Sequence, residues 1–141
     1  MSARETSEAV ARGRPLSPHM SIYKMSRYCL LSSILNRGTG LILSAGLLLL
    51  VYWLVSVAEG ERAYAAALAV LSSVPLEIAY ALLLAAFSYH LVAGVRHLIW
   101  DTGHGLSRMQ SRRSAFWVFA ASIVIAIALI AWAFIPAAGA R

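Results

Sequence analysis

The side chains able to do chemistry in this chain gather at two places in an otherwise apolar sequence. His90 and His97 stand in the run from Pro75 to Trp100, and Ser33, Asn36 and Arg37 stand at the start of the run ending near Val57. An ionisable group inside a bilayer is costly, so it faces protein, a water-filled cavity or a bound group rather than lipid. His90 precedes Trp100 by ten residues, ~15 Å along a helix axis. That is near the middle of ~30 Å of hydrocarbon. Two uses are open to a neutral imidazole at this depth: axial ligation of a haem iron, or a hydrogen bond to a neighbouring helix. Ala86 and Gly94, one turn to either side, would let a flat macrocycle approach the backbone.

His97 shares the His90 face two turns on, ~10 Å along the axis. Two side chains projecting the same way cannot fill both axial positions of one iron. If His90 ligates a six-coordinate haem, the opposite ligand comes from another chain. His97 then lies near the haem edge, within reach of a propionate, or it packs as an interfacial histidine beside Trp100. Arg96 is turned well away from the His90 face, towards the interface or a partner subunit. Asp101 returns to the histidine face as a candidate partner for Arg37 or another cation.

Ser33, Asn36, Arg37, Gly40 and Ser44 repeat at spacings of three and four, which makes one helical stripe. An arginine at this depth needs an anion, a carbonyl or a polar head group. Either Ser33 and Arg37 hydrogen-bond a quinone carbonyl or a haem propionate, or Arg37 snorkels to the head groups while Gly40 and Ser44 make a small-residue contact.

Three elements must position these groups. The first apolar run covers about 30–57, long enough for the ~20 residues a span requires. The second covers about 75–100, with Ser73 and Pro75 as start signals and Gly103 permitting the turn after it. The third covers about 114–135 and stops at Pro136; without charge, it serves packing and lipid contact. Glu61 to Leu71 reads as a short surface helix, and Gly103 to Arg113 as a polar, basic loop. Residues 1–29 form a polar tail. Its first dozen residues are expected to be loosely ordered, and Pro15 and Pro18 impose an extended path on 14–19. Residues 136–141 form a short C-terminal tail. The fold class is therefore all-α: an integral membrane domain of three helices over 30–135.

Composition supports a bilayer as solvent. The chain has 141 residues, 60% hydrophobic and 13% charged, too few charges for the polar shell of a small soluble body. The net charge of +6 does not form a nucleic-acid face. Arg4, Arg12, Arg14, Lys24 and Arg27 precede the first run, Arg108, Arg112 and Arg113 lie between the second and third, and Glu59, Glu61 and Arg62 follow the first. This asymmetry places the N-terminus in the cytoplasm by the positive-inside rule. Cys29 is the sole cysteine and reads as a packing residue. No phosphate-cradling loop, paired cysteines or hydrolytic triad is present, so the chain cannot house a flavin or an iron–sulfur cluster by itself.

Three segments carry a resemblance. Arg14-Pro15-Leu16-Ser17-Pro18-His19, Ser33-Ile34-Leu35-Asn36-Arg37-Gly38-Thr39-Gly40, and the run from His90 through Gly94, Arg96, His97 and Asp101 to Gly103 resemble the cytochrome b membrane-anchor subunits of succinate dehydrogenase, respiratory Complex II. The resemblance implies that His90 is an axial ligand of the haem b iron, with the other ligand from a second, smaller anchor subunit. It also implies that Ser33 and Arg37 contact ubiquinone, and that His97 and Arg37 lie close to the haem. Flavoprotein and iron–sulfur subunits, holding FAD and the clusters, would dock on the cytoplasmic face and pass electrons from succinate to ubiquinone. The expected location is a bacterial inner membrane, ahead of a mitochondrial one. Asn36 departs from the family, many members of which have histidine there, and this changes any propionate contact at that position. The alternatives are a haem-free structural anchor and a subunit of a related fumarate reductase.

Overall fold

In a computed structural model, residues 3–11 and 27–138 are described. All regular structure among them is helical: α1 (Ala3–Ala11), α2 (Arg27–Glu59), α3 (Glu61–Leu71), α4 (Val74–Asp101) and α5 (Arg108–Ala138). The chain is an all-α integral membrane protein. α2, α4 and α5 are each long and apolar enough to cross a bilayer.

The spans are longer than the apolar runs alone suggest. At 1.5 Å per residue, the 33 residues of α2 extend ~50 Å, well beyond the hydrocarbon. The stretch from Gly38 to Val57 supplies the ~20 residues that cross it, so Ser33, Asn36 and Arg37 fall at its edge. α5 begins at Arg108 rather than at 114. The signal is a capping box: the Gln110 amide donates to Ser107 Oγ at 3.3 Å, and the Ser107 amide donates to Gln110 Oε1 at 3.4 Å. Polar, basic composition had suggested a loop, but arginine is a good helix former. The helix also continues past Pro136 to Ala138, since a proline near a C-terminus removes only one hydrogen bond from the ladder. α1 forms over part of the tail expected to be loose, from an alanine- and glutamate-containing segment with Glu5 in its first turn. The extended path expected for 14–19 lies outside the described residues.

Connections follow the local chemistry. Gly60 takes φ 101° between α2 and α3, a left-handed conformation that glycine adopts without a Cβ penalty. Ser73 is extended ahead of α4, with proline in the first turn. Between α4 and α5 the chain reverses through Gly103 and Gly105, at φ 80° and 77°.

The three spans run antiparallel in sequence order, with α4 packed against both α2 and α5. Tyr89, Ala93 and Val118 form the buried cluster, with Val92 and Phe119 against it. Small residues make the closest approaches, as is usual between membrane helices: Ala86, Ala93 and Ala115 are buried. The large apolar side chains face outward instead, Trp132 at 78% and Leu41 at 74% exposure, where lipid or another subunit would solvate them.

Candidate functional site

His90 sits midway along α4, and α2 meets it with its backbone and the Thr39 hydroxyl. Gly40 has no Cβ; one added there would lie 3.2 Å from His90 Cε1. This absence lets the imidazole edge reach the α2 main chain. Its Nδ1 lies 3.2 Å from the Asn36 carbonyl oxygen and 3.3 Å from Thr39 Oγ1. A carbonyl only accepts, so the bond requires the proton on Nδ1. The Thr39 hydroxyl donates along its own helix, at 2.8 Å to the Leu35 carbonyl, and is thereby free to accept. In the neutral ring, Nε2 then carries an unshared pair. Imidazole ligands of metals are commonly oriented in this way, by a backbone carbonyl or carboxylate on the other nitrogen.

The surroundings leave space beside this ring. A Cβ at Gly94, one turn along α4, would meet nothing within 4 Å. Among the described residues, Asn36 Oδ1 is buried without a hydrogen-bond partner, an arrangement that normally costs free energy. Among the described residues no group of three or more histidine, cysteine, aspartate or glutamate side chains could hold a metal ion. A metal ligated by His90 would therefore have to arrive with ligands of its own.

The other residues singled out from the sequence separate into two environments. Arg37 is exposed and bends back along α2, with Nη2 3.3 Å from Ser33 Oγ and Nε 3.5 Å from the Ser33 carbonyl. These are long for charged hydrogen bonds and leave guanidinium donors available. Ser44 bonds its own helix at the Gly40 carbonyl, so the stripe divides into a polar end and a backbone contact with His90. His97 is exposed and stands edge-on to Trp100, centroids 5.2 Å apart. Asp101 is exposed and makes no ion pair with Arg37.

Arg96 corrects the sequence-based expectation. It is 6% exposed and ties three helices together within the chain instead of facing a partner. Nη1 donates to Ser32 Oγ on α2 at 2.8 Å, Nε to Ser114 Oγ on α5 at 3.0 Å, and Nη2 to the Ser111 carbonyl at 3.0 Å. The guanidinium also lies 4.0 Å over the Trp100 ring, a favourable place for a cation. Tyr89 reaches the same Ser32, its hydroxyl 3.1 Å from the carbonyl and 3.2 Å from Oγ. Ser111 further approaches Cys29 Sγ at 3.3 Å. α5 thus contributes polar groups, not packing alone. Tyr89, Ala93 and Arg96 fall at i, i+4 and i+7 and share a face that flanks His90. What it packs against was not visible in the sequence.

Residues 11–129 match the family described as succinate dehydrogenase/fumarate reductase transmembrane subunit. The succinate dehydrogenase cytochrome b556 subunit of Paracoccus denitrificans is 40% identical over 119 residues, covering 84% of this chain and 91% of that one. The subunit of the same name from Rickettsia felis is 33% identical over 126 residues, 89% of this chain and 97% of that one. The mitochondrial succinate dehydrogenase cytochrome b560 subunit of Bos taurus is 35% identical over 125 residues, 84% and 70% of the two chains. With its three spans and its family match over most of its length, the chain belongs to the transmembrane subunits of succinate dehydrogenase and fumarate reductase.

Proposed function

We propose that this chain is the larger cytochrome b anchor of a succinate:ubiquinone oxidoreductase in a bacterial inner membrane, its N-terminus cytoplasmic. His90 would hold the iron of a haem b together with a ligand from a second, smaller anchor subunit. Flavoprotein and iron–sulfur subunits, carrying FAD and the clusters, dock at the arginine-rich end. The observation that carries this reading is the anchoring of His90 Nδ1 by the Asn36 carbonyl, which leaves Nε2 as the ligating atom.

The residues present fit the group. The open space at Gly94 leaves the α4 backbone accessible to a flat macrocycle, and His90 Nε2 keeps an unshared pair for its iron. When bound, haem supplies a one-electron store within the hydrocarbon layer. The chain's own residues do the rest. The Asn36 carbonyl and Thr39 keep the proton on Nδ1 and fix the ring plane. The Ser33 hydroxyl and Arg37 guanidinium, at the edge of the hydrocarbon, hydrogen-bond a ubiquinone carbonyl and stabilise the negative charge that grows there on reduction. His97, on the same face of α4, would lie near the bound haem.

The test is a difference spectrum of the complex purified with its partner subunits. A b-type band that appears on reduction, together with succinate-driven ubiquinone reduction, is the expected outcome. Full quinone reduction with no reducible haem band would establish a haem-free anchor instead.

A further inference from the structure

Where the first turns of α2 and α5 meet, a cavity of about 290 Å³ is lined by Tyr28, Met109, Arg112, Arg113, Phe116 and Trp117. Its chemistry is two-sided. Arg112 and Arg113 are exposed, and among the described residues neither makes an ion pair. The Arg112 guanidinium stands 5.4 Å over the Tyr28 ring, which holds its position without neutralising it. One turn further along α5 the lining is aromatic: Phe116 and Trp117 pack edge to face, centroids 5.7 Å apart, and are 62% and 67% exposed.

We propose that this cavity binds the phosphate of an anionic phospholipid, with an acyl chain lying along α5. Three observations converge on a lipid. Two unpaired guanidinia a residue apart match a phosphate diester, for which arginine is the preferred donor. The aromatic wall sits at the end of a span, the level at which tryptophan and tyrosine meet lipid head groups. From Phe116 an exposed apolar line continues through Ile123 and Ile127, at i+7 and i+11. That line extends ~16 Å, about half the hydrocarbon thickness, which is the depth one leaflet's acyl chain occupies. Basic pockets between spans at the cytoplasmic side are a general mode of anionic-lipid recognition. The site rests on the proposed cytoplasmic placement of this end of the spans and is independent of the haem and quinone assignments.

The purified complex, delipidated in mild detergent and titrated with phosphatidylglycerol, tests this by native mass spectrometry. The wild-type complex is expected to bind phosphatidylglycerol and to discriminate against phosphatidylcholine. The Arg112→Gln/Arg113→Gln complex should bind it roughly 30-fold more weakly at low salt, while Arg112→Lys/Arg113→Lys, which keeps the charge but loses the planar fork, should fall between the two. Equal binding by wild type and the glutamine variant would overturn the proposal. So would displacement of the lipid by millimolar inorganic phosphate, which would reduce the site to a simple anion pocket. Loss of the partner subunits from the glutamine variant, with the lysine variant intact, would show that an acidic protein surface occupies the patch instead.

Discussion

His90 uses one ring nitrogen on the backbone of α2 and leaves the other free, and the division is set by groups of fixed character. The Asn36 carbonyl cannot donate and the Thr39 hydroxyl is committed to α2, so the tautomer follows from the fold. The histidine itself was legible in the sequence because an imidazole at mid-span depth is expensive. Its orienting partner was not, because every residue has a carbonyl. Arg37 presents the complementary case. Its bonds to Ser33 are long and exposed, so its removal should leave the fold intact and, on the proposed reading, deprive a quinone of its charged donor. Arg37→Ala is expected to lower ubiquinone reduction by the complex 100-fold or so, about the loss seen when an oxyanion donor is removed. Succinate oxidation with a water-soluble artificial acceptor should be unchanged. Parallel loss of both activities would assign Arg37 to assembly.

At the scale of elements, what holds the spans in register is polar. Arg96 draws acceptors from α2 and α5 to one point on α4, beside Tyr89 and Ser32. Ser32 is thereby fixed, and with it the turn that carries Ser33. Single-helix geometry correctly turned Arg96 away from His90, yet it could not show that α5 occupies that direction. Hydrogen bonds between membrane helices are each worth ~0.6 kcal/mol. Arg96→Gln, which loses most of them, should therefore destabilise the complex by about 2 kcal/mol, read as a lowered Tm in detergent with the Ser33 and Arg37 side chains intact. The start of α5 was similarly hidden behind composition. Ser107 and Gln110 make a reciprocal cap that only their spacing announces. Ser107→Ala is expected to cost about 1 kcal/mol and to raise hydrogen exchange over 108–111 while leaving the rest of α5 protected.

As a whole molecule the chain buries little of its own apolar surface. Its core is a few small side chains around Tyr89 and Val118, and most leucine, isoleucine and tryptophan side chains point outward. Number, order and type of the spans were legible because length and apolarity determine them. Their outer limits were not, because helices extend past the hydrocarbon wherever the flanking residues can also be helical. The same architecture predicts dependence on a partner. His97 shares the His90 face and stands against Trp100, so no second axial ligand is available from this span. Expressed without the other subunits, the chain should yield no six-coordinate low-spin haem signal by electron paramagnetic resonance; the assembled complex should yield one.

The most direct measurement is the reduced-minus-oxidised absorption spectrum of the assembled complex carrying His90→Gly, recorded before and after addition of free imidazole. The account predicts loss of the b-type band on substitution and its return when imidazole enters the space that the side chain vacates. A band of unchanged position and intensity in the variant would contradict it, because the iron would then draw no ligand from residue 90.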